Sequence, residues 1–286
     1  MIKIDKEKAT EIISSYQIPA RPEILHALHQ EQTAREPDIH KFGQIISLDI
    51  SLAACVLKTI NSPVFGLNRT VTDIQQSVML LGMDNIINLV SFFELRNKLS
   101  GKACISLERF WDSSTEVANV MVFLQQRLNL KIPPEYVYSG GLFRDCGIPL
   151  LAMKYQNYKE TLVTANNTPD RQVTDIEEEC HDTNHTVVGY FVGTSWNLPD
   201  IICELILRHH DPTVLQDVSC SEEFKILFCL FKMADNIINE HRRFRPSNDW
   251  RWAEEQVMYY LGISEPDYNE IRDDVIDDIE HISQTG

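Results

Sequence analysis

Arg144 and Asp145, in the second half of the chain, bear directly on whether a divalent metal could bind. Such a site needs a neutral imidazole beside a carboxylate. Arg144 directly precedes Asp145. Its guanidinium only donates hydrogen bonds, and its permanent charge repels a cation. We therefore expect no bound metal and no catalytic residue.

The elements that position these residues follow the helical period. Apolar residues recur at three- and four-residue spacing along nearly the whole chain, which indicates an all-α fold. Asp38 and Asp73 stand where N-caps would accept backbone hydrogen bonds, and Gly82 stands where a glycine would end a helix. The pattern predicts five short helices in the first hundred residues. It also predicts helix over 174–196, although residues 187–192 alone are apolar enough to pass for a strand.

Composition and charge limit the partners and the compartment. The net charge of −16 disfavours binding to nucleic acid or to anionic membranes, because phosphates favour a basic surface. A small phosphorylated ligand in a local pocket remains compatible with this charge. Seven cysteines without a CxxC pair are typical of free thiols in a reducing compartment. No run approaches the roughly 18 apolar residues that span a bilayer, and we expect a cytoplasmic protein.

The last 23 residues form an acidic amphipathic helix. One narrow apolar seam runs along it, made by Tyr268, Ile271, Val275, Ile279 and Ile282. The other faces of the segment carry eight acidic residues and a single arginine. The pattern favours a terminal helix docked on the protein with a solvated acidic face. Alternatively, the seam pairs with a partner or with a second copy of the chain.

Several motifs in fixed order resemble the HDOD domain, a relative of the HD-type phosphohydrolases found mostly in bacterial signalling proteins. The motifs are Ile18-Pro19-Ala20-Arg21-Pro22, Asn61-Ser62-Pro63-Val64-Phe65-Gly66, Leu80-Leu81-Gly82, Gly140 to Gly147, His185 to Gly189, Trp196 to Pro199 and His209-His210. The resemblance covers about residues 16–215. It implies an N-terminal five-helix bundle (1–100) packed on an HD-like helical bundle (101–215), followed by a helical C-terminal extension (216–286). Members of this family are commonly regarded as regulatory modules that have lost hydrolase activity.

The metal ligands of HD enzymes carry over poorly. Those enzymes use an early histidine, a His-Asp pair and a late aspartate; here the first position, near Trp111 to Ser114, has no histidine, and the pair is Arg144-Asp145. Asp235 matches the late aspartate. Two carboxylates are too few for a tight site, so the resemblance implies no cofactor and a degenerate pocket of Arg144, Asp145 and Asp235. Either Arg144 pairs there with both carboxylates in place of the metal, or it turns to solvent.

The surviving histidines have two interpretations. In two-metal relatives, positions resembling His185, His209 and His210 help to hold a second cation. The resemblance therefore leaves Asp145, His185, His209, His210 and Asp235 as residual candidates for a metal site. Alternatively, His209 and His210 are cations that interact with a helix dipole, and His185 is a hydrogen-bonded interior residue; we favour this second interpretation. His181 and His185, four residues apart on one predicted helical face, could also bind a metal weakly.

These observations predict a non-catalytic bacterial signalling module that binds a signalling protein or a small phosphorylated ligand, with a homodimer also possible. Asn61, Phe65 and Gly66 form a possible contact loop, although they equally suit a capped and packed turn. The alternative is a metal-dependent phosphohydrolase that acts on a nucleotide or cyclic dinucleotide with manganese, iron or nickel. A third possibility is a ligand sensor in which Arg144 binds a phosphate or carboxylate.

Overall fold

The computed structural model describes residues 15–16, 18–67 and 69–285, and their side chains as far as residue 280. The all-α prediction is confirmed, because the described residues form helices and turns and contain no strand. The helices are α1 (Glu23–Gln32), α2 (Ile39–Ser47), α3 (Ile50–Ile60), α4 (Ile74–Leu81), α5 (Met83–Lys98), α6 (Leu107–Arg127), α7 (Pro134–Phe143), α8 (Ile148–Lys154), α9 (Tyr158–Asn166), α10 (Val173–His181), α11 (His185–Ser195), α12 (Asp200–Arg208), α13 (Glu222–Arg243), α14 (Trp250–Leu261) and α15 (Glu265–Thr285).

The chain divides into two compact units: Pro19–Ser100, and the described residues of 1–18 and 101–286. The three predicted domains, 1–100, 101–215 and 216–286, stay predictions. No helix in the described ranges is by itself long and apolar enough to cross a membrane; α2 with α3 and α4 with α5 meet that requirement only as pairs bent by 117° and 116°.

The unit of residues 19–100 contains the five predicted helices, α1–α5. Aspartates cap the starts of α2 and α4: Asp38 accepts a hydrogen bond from the backbone N–H of His40, and Asp73 from that of Gln75. Asn61 closes the loop after α3, because its amide donates to the carbonyl of Val71 (2.7 Å) and accepts from the same residue's N–H (2.7 Å). Gly66 ends the following 3-10 turn with φ of 60°. The loop that we considered as a contact surface is therefore held by its own hydrogen bonds.

In the second unit, glycines allow helices to approach closely. A Cβ atom at Gly141 of α7 would lie 2.4 Å from the Cα of Ala118 in α6, and one at Gly147 would lie 2.0 Å from the carbonyl oxygen of His185. Only glycine fits at such distances. The Gly141–Gly147 segment is thereby pressed against α6 on one side and against the start of α11 on the other.

The acidic terminal helix α15 docks on α6 and α13. Its seam residues Tyr268, Ile271, Val275 and Ile279 are buried, and Arg127 of α6 pairs with Glu270 (2.7 Å) and with Asp274 (2.9 Å). The prediction of a docked helix with a solvated acidic face is confirmed for these residues. Ile282, the last predicted seam residue, lies outside the described side chains.

The predicted continuous helix over 174–196 is wrong. Helix α10 ends at His181, and α11 begins at His185. Asp182 adopts φ of 59°, a left-handed conformation that aspartate tolerates better than most residues, and the Asn184 side chain caps α11 by accepting from the N–H of Val187 (3.0 Å). Residues 187–192 are helical, as predicted, within α11.

Candidate functional site

Four of the five candidate ligands converge in the second unit. Asp145, His185, His209 and His210 each offer a ligand atom within 4.8 Å of the others, and we call them the Asp–His cluster. The Oδ1 atom of Asp145 lies 3.2 Å from Nε2 of His209 and 3.5 Å from Nε2 of His185. The two Nε2 atoms are 3.3 Å apart. Asp145 comes from the turn after α7, His185 begins α11, and His209 and His210 follow α12.

Each imidazole of the cluster uses its Nδ1–H outside the cluster. His185 Nδ1 donates to Glu177 (2.7 Å), and His210 Nδ1 donates to Asp249 (2.6 Å). His209 Nδ1 donates to the carbonyl of Ile206 (3.0 Å) in the last turn of α12. In metal sites, such outer hydrogen bonds fix the ring orientation and direct the Nε2 lone pair towards the ion.

The outer carboxylates are themselves held by buried partners. The hydroxyl of Tyr158 donates to Glu177, which also accepts from the backbone N–H of His185 (2.9 Å). Lys232, whose side chain is buried on α13, forms an ion pair with Asp249. Since each carboxylate has two or more donors, the orientation of His185 and His210 is fixed from outside the cluster.

The protonation states differ within the cluster. Burial lowers the pKa of His209 to about 3, helped by neighbouring His210, so His209 is neutral. Burial also works against a charged His185, but the carboxylates of Glu177 and Asp145 outweigh it and raise the pKa of His185. When His185 is protonated, it can donate its Nε2–H to the Nε2 lone pair of His209 and to Asp145.

Arg144 places a permanent positive charge beside Asp145. Its side chain is only 6% exposed, and Nη2 lies 3.2 Å from Oδ2 of Asp145. Nη1 donates to the carbonyl of Gly141 (2.7 Å), and the guanidinium lies 5.4 Å from the ring centre of Phe231. The alternative of an arginine turned to solvent is wrong. Burial opposes the charged form of Asp145, but Arg144, followed by His209 and His185, holds the pKa of Asp145 well below its ordinary value.

Asp235 is not part of the Asp–His cluster. Burial raises the pKa of its carboxyl, and the nearby charges of Arg144 and Lys232 oppose that rise. Its Oδ1 accepts a hydrogen bond from Asn239 (3.2 Å). Of the three residues predicted to form a pocket, Arg144 and Asp145 form a direct ion pair. Asp235 makes no such pair but lies close enough to Arg144 for the two charges to interact.

Two interpretations of histidines need correction. His209 is not a cation at a helix end, because it is fully buried and neutral. His181 does not share a helical face with His185, because the chain turns between them at Asp182. Nε2 of His181 is instead hydrogen-bonded to the hydroxyl of Thr161 (2.9 Å), and its ring packs against Tyr155.

Sequence reasoning missed the outer residues Glu177, Asp249, Tyr158 and Lys232. Lys232 left a signal, since it interrupts the apolar run Leu230-Phe231-Lys232-Met233-Ala234 on a buried helix. A lysine at such a position needs a buried partner. Glu177 and Asp249 lie in polar segments where acids are common, and their roles follow only from the fold.

We expect His181 to make stability depend on pH. Burial lowers the pKa of His181 in the folded protein, whereas the unfolded chain titrates near 6.5. The unfolded state therefore binds the proton first as the pH falls, so the contribution of this residue is complete above about pH 6.5 and is lost below it. His181→Gln, which can still bond Thr161, should lessen the fall in unfolding free energy between about pH 7.5 and pH 5. Urea unfolding at several pH values in this range measures the unfolding free energy, with the exposed His26→Gln as the control. If the unfolding free energy of His181→Gln falls with pH as steeply as that of the wild type, His181 is not the source of the pH dependence.

The donor set fits one divalent transition ion rather than two. Three imidazole nitrogens and a carboxylate oxygen suit zinc, manganese, iron or nickel, and Asp145, His185, His209 and His210 would hold the ion. Such an ion would polarise a phosphoryl oxygen or lower the pKa of water. The ion would compete with protonation of His185 and would lie beside the charge of Arg144.

Comparisons with known proteins agree with the all-helical fold. Solved structures of similar fold include an HDOD domain protein of unknown function from Geobacter sulfurreducens (21% identity, 97% of each chain, TM-score 0.67) and a protein from Shewanella amazonensis described as a candidate metal-dependent phosphohydrolase (15% identity, 94% of this chain and 98% of that one, TM-score 0.64). A candidate signal-transduction protein from Marinobacter aquaeolei is also similar (16% identity, 96% of this chain and 60% of that one, TM-score 0.70).

Among curated proteins, an uncharacterised protein of Treponema pallidum is 24% identical over 202 residues, 68% of this chain and 38% of that protein. Protein YuxH of Bacillus subtilis, also uncharacterised, is 32% identical over 90 residues, 30% of this chain and 22% of that protein. The chain thus matches well under half of the length of either relative. A family model of the HDOD domain matches residues 18–212, about two thirds of the sequence, and the chain belongs to the HDOD domain family.

Proposed function

We propose that this chain is a non-catalytic signal-transduction domain that acts by binding a signalling protein or a small phosphorylated ligand. The observation that carries the proposal is the buried guanidinium of Arg144, 3.2 Å from Asp145, at the position where an HD enzyme has a metal-binding histidine. The guanidinium opposes a cation and cannot ligate one. The name of the Marinobacter neighbour supports a signalling role.

The charge pattern of the pocket supports the same conclusion. Arg144 and the His185 proton balance Asp145 and Glu177, and Lys232 neutralises Asp249. A catalytic site for phosphoester hydrolysis needs an open coordination position and an activated water. Here His185 and His209 are buried, and their Nε2 atoms lie 3.3 Å apart. We infer that the pocket stabilises the fold that presents the binding surfaces.

Hydrolysis assays test the proposal. The purified chain is incubated with nucleotides and cyclic dinucleotides in the presence of manganese, iron or nickel, beside an active HD-type phosphohydrolase as the positive control. We expect no product above the rate of a His209→Ala variant, because that variant lacks a central residue of the cluster. Turnover by the wild type that is lost in His209→Ala would overturn the proposal.

The second candidate is a metal-dependent phosphohydrolase, and the outward Nδ1–H bonds of His185, His209 and His210 favour it. Its first requirement is metal binding at the Asp–His cluster. Because the metal must displace the His185 proton, binding should release about one proton and weaken as the pH falls. Calorimetric titration with zinc or manganese in buffers of different ionisation enthalpy measures both. Binding without proton release, or binding that survives in Asp145→Ala, would place the metal elsewhere.

A further inference from the structure

A strongly basic segment with an exposed aromatic residue spans the end of α13 and the start of the turn to α14, on a chain whose net charge is −16. We call Arg243, Phe244 and Arg245 the basic finger. All three are exposed, and Phe244 is 92% exposed. The preceding Arg242 is held by Glu116 (2.6 Å). The proposed function uses none of these residues.

The backbone of Phe244 is strained. It ends α13 with φ of 55° and ψ of 33°, a left-handed conformation that glycine adopts freely. A bulky side chain makes this conformation unfavourable, and Phe244 adopts it without burying its ring. The conformation ends α13, where the N–H of Phe244 donates to the carbonyl of Glu240, but ending a helix does not require an exposed aromatic ring. Aromatic and arginine side chains are also the residues that most often dominate protein interfaces.

The finger is presented by a fixed loop. Ser247 donates its backbone N–H to Asn236 (2.9 Å), and the side chain of Asn248 donates to the carbonyl of Ala165 (3.0 Å). Asp249 binds Lys232 and His210. Because three successive residues beyond the finger are tied to the unit, little conformational entropy remains to be lost when the finger binds.

An acidic surface that complements the finger lies on α15. Asp273, Asp277 and Glu280 follow helical spacing on the face opposite the buried seam, and all three are exposed; we call them the acidic stripe. Arg272 pairs with Asp273 of the stripe (3.1 Å) and lies 3.7 Å from Glu240 in the last turn of α13, the turn that leads into the finger. Each copy therefore carries the finger and the stripe on two helices that contact one another.

We propose that this surface forms a homodimer, in which the basic finger of each copy contacts the acidic stripe of the other. A surface that carries a basic and an acidic patch side by side is self-complementary under a two-fold axis. Such pairing also offsets the repulsion between two chains of net charge −16. The same net charge repels nucleic acid and anionic membranes, the other acidic surfaces that an Arg-Phe-Arg turn could contact.

Sedimentation velocity of the full chain over a range of protein and salt concentrations tests the proposal. We expect a concentration-dependent dimer at low salt that weakens as salt is added. Arg243→Glu with Arg245→Glu should raise the dissociation constant at least about tenfold, or about 1.4 kcal/mol. Adding Asp277→Lys and Glu280→Lys to that variant should restore the dimer, since the charges are then exchanged.

Two further variants separate binding from folding. Phe244→Gly should keep the melting temperature at or above that of wild type, because it relieves the left-handed strain, and yet weaken the dimer. Val218→Ser, at a 96% exposed apolar position between Asp217 and Ser219, is the matched control and should leave the dimer unchanged. A monomer at every concentration, or a dimer insensitive to the double charge reversal, would overturn the proposal.

Discussion

Arg144→Ala is expected to lower the free energy of unfolding by about 3–5 kcal/mol, with a chelator present throughout. The variant removes a buried guanidinium and leaves Asp145 charged beside Asp235, with no metal to replace the lost charge. Breaking a buried pair on one side is costly because the other charge stays desolvated. Urea unfolding in the presence of EDTA measures the effect.

Two controls accompany this measurement. Arg171→Ala removes an exposed arginine that pairs with Glu179, and should cost less than about 1 kcal/mol. Arg144→Met combined with Asp145→Asn removes both charges and should recover part of the stability that Arg144→Ala loses. An Arg144→Ala protein that unfolds at the same urea concentration as wild type, with EDTA present, would refute the role of the arginine as the resident cation.

Gly147→Ala should destabilise the protein by about 3 kcal/mol. The new Cβ atom would lie 2.0 Å from the carbonyl oxygen of His185 and 2.7 Å from the backbone nitrogen of Gly189. Backbone atoms cannot rotate away, so α11 must move, and His185 moves with it. The substitution therefore couples a packing defect to the geometry of the Asp–His cluster.

The control for Gly147→Ala is Gly101→Ala. At Gly101 the nearest atom to a new Cβ is the terminal methyl of Met153, at 2.7 Å. That methyl is the flexible end of a side chain and can move aside, so we expect a cost below about 1 kcal/mol. Equal unfolding free energies for the two variants would show that α11 can retreat without cost and would contradict the account.

The helical scaffold was predictable because local patterns determine it. Apolar spacing identified the five helices before residue 100, and Asp38 and Asp73 cap helices as expected. The break at Asp182 escaped prediction, because the segment on both sides keeps helical spacing and only the Asn184 cap and a left-handed aspartate interrupt it.

The candidate site could be predicted as a set of residues but not as an arrangement. Asp145, His185, His209 and His210 were all identified from the sequence, whereas the separation of Asp235 from them depends on how α13 packs. Glu177, eight residues earlier, raises the pKa of His185, and complete burial lowers the pKa of His209. Neither environment can be read from residue spacing, because both depend on how the helices pack.

The central claim is that Arg144 and the proton of His185 supply the positive charge of the pocket in place of a metal. Elemental mass spectrometry of the chain purified without chelator, beside Asp145→Ala, tests it most directly. We predict far less than one metal ion per chain in both proteins. Near-stoichiometric metal in the wild type that disappears in Asp145→Ala would contradict the claim and would favour the phosphohydrolase.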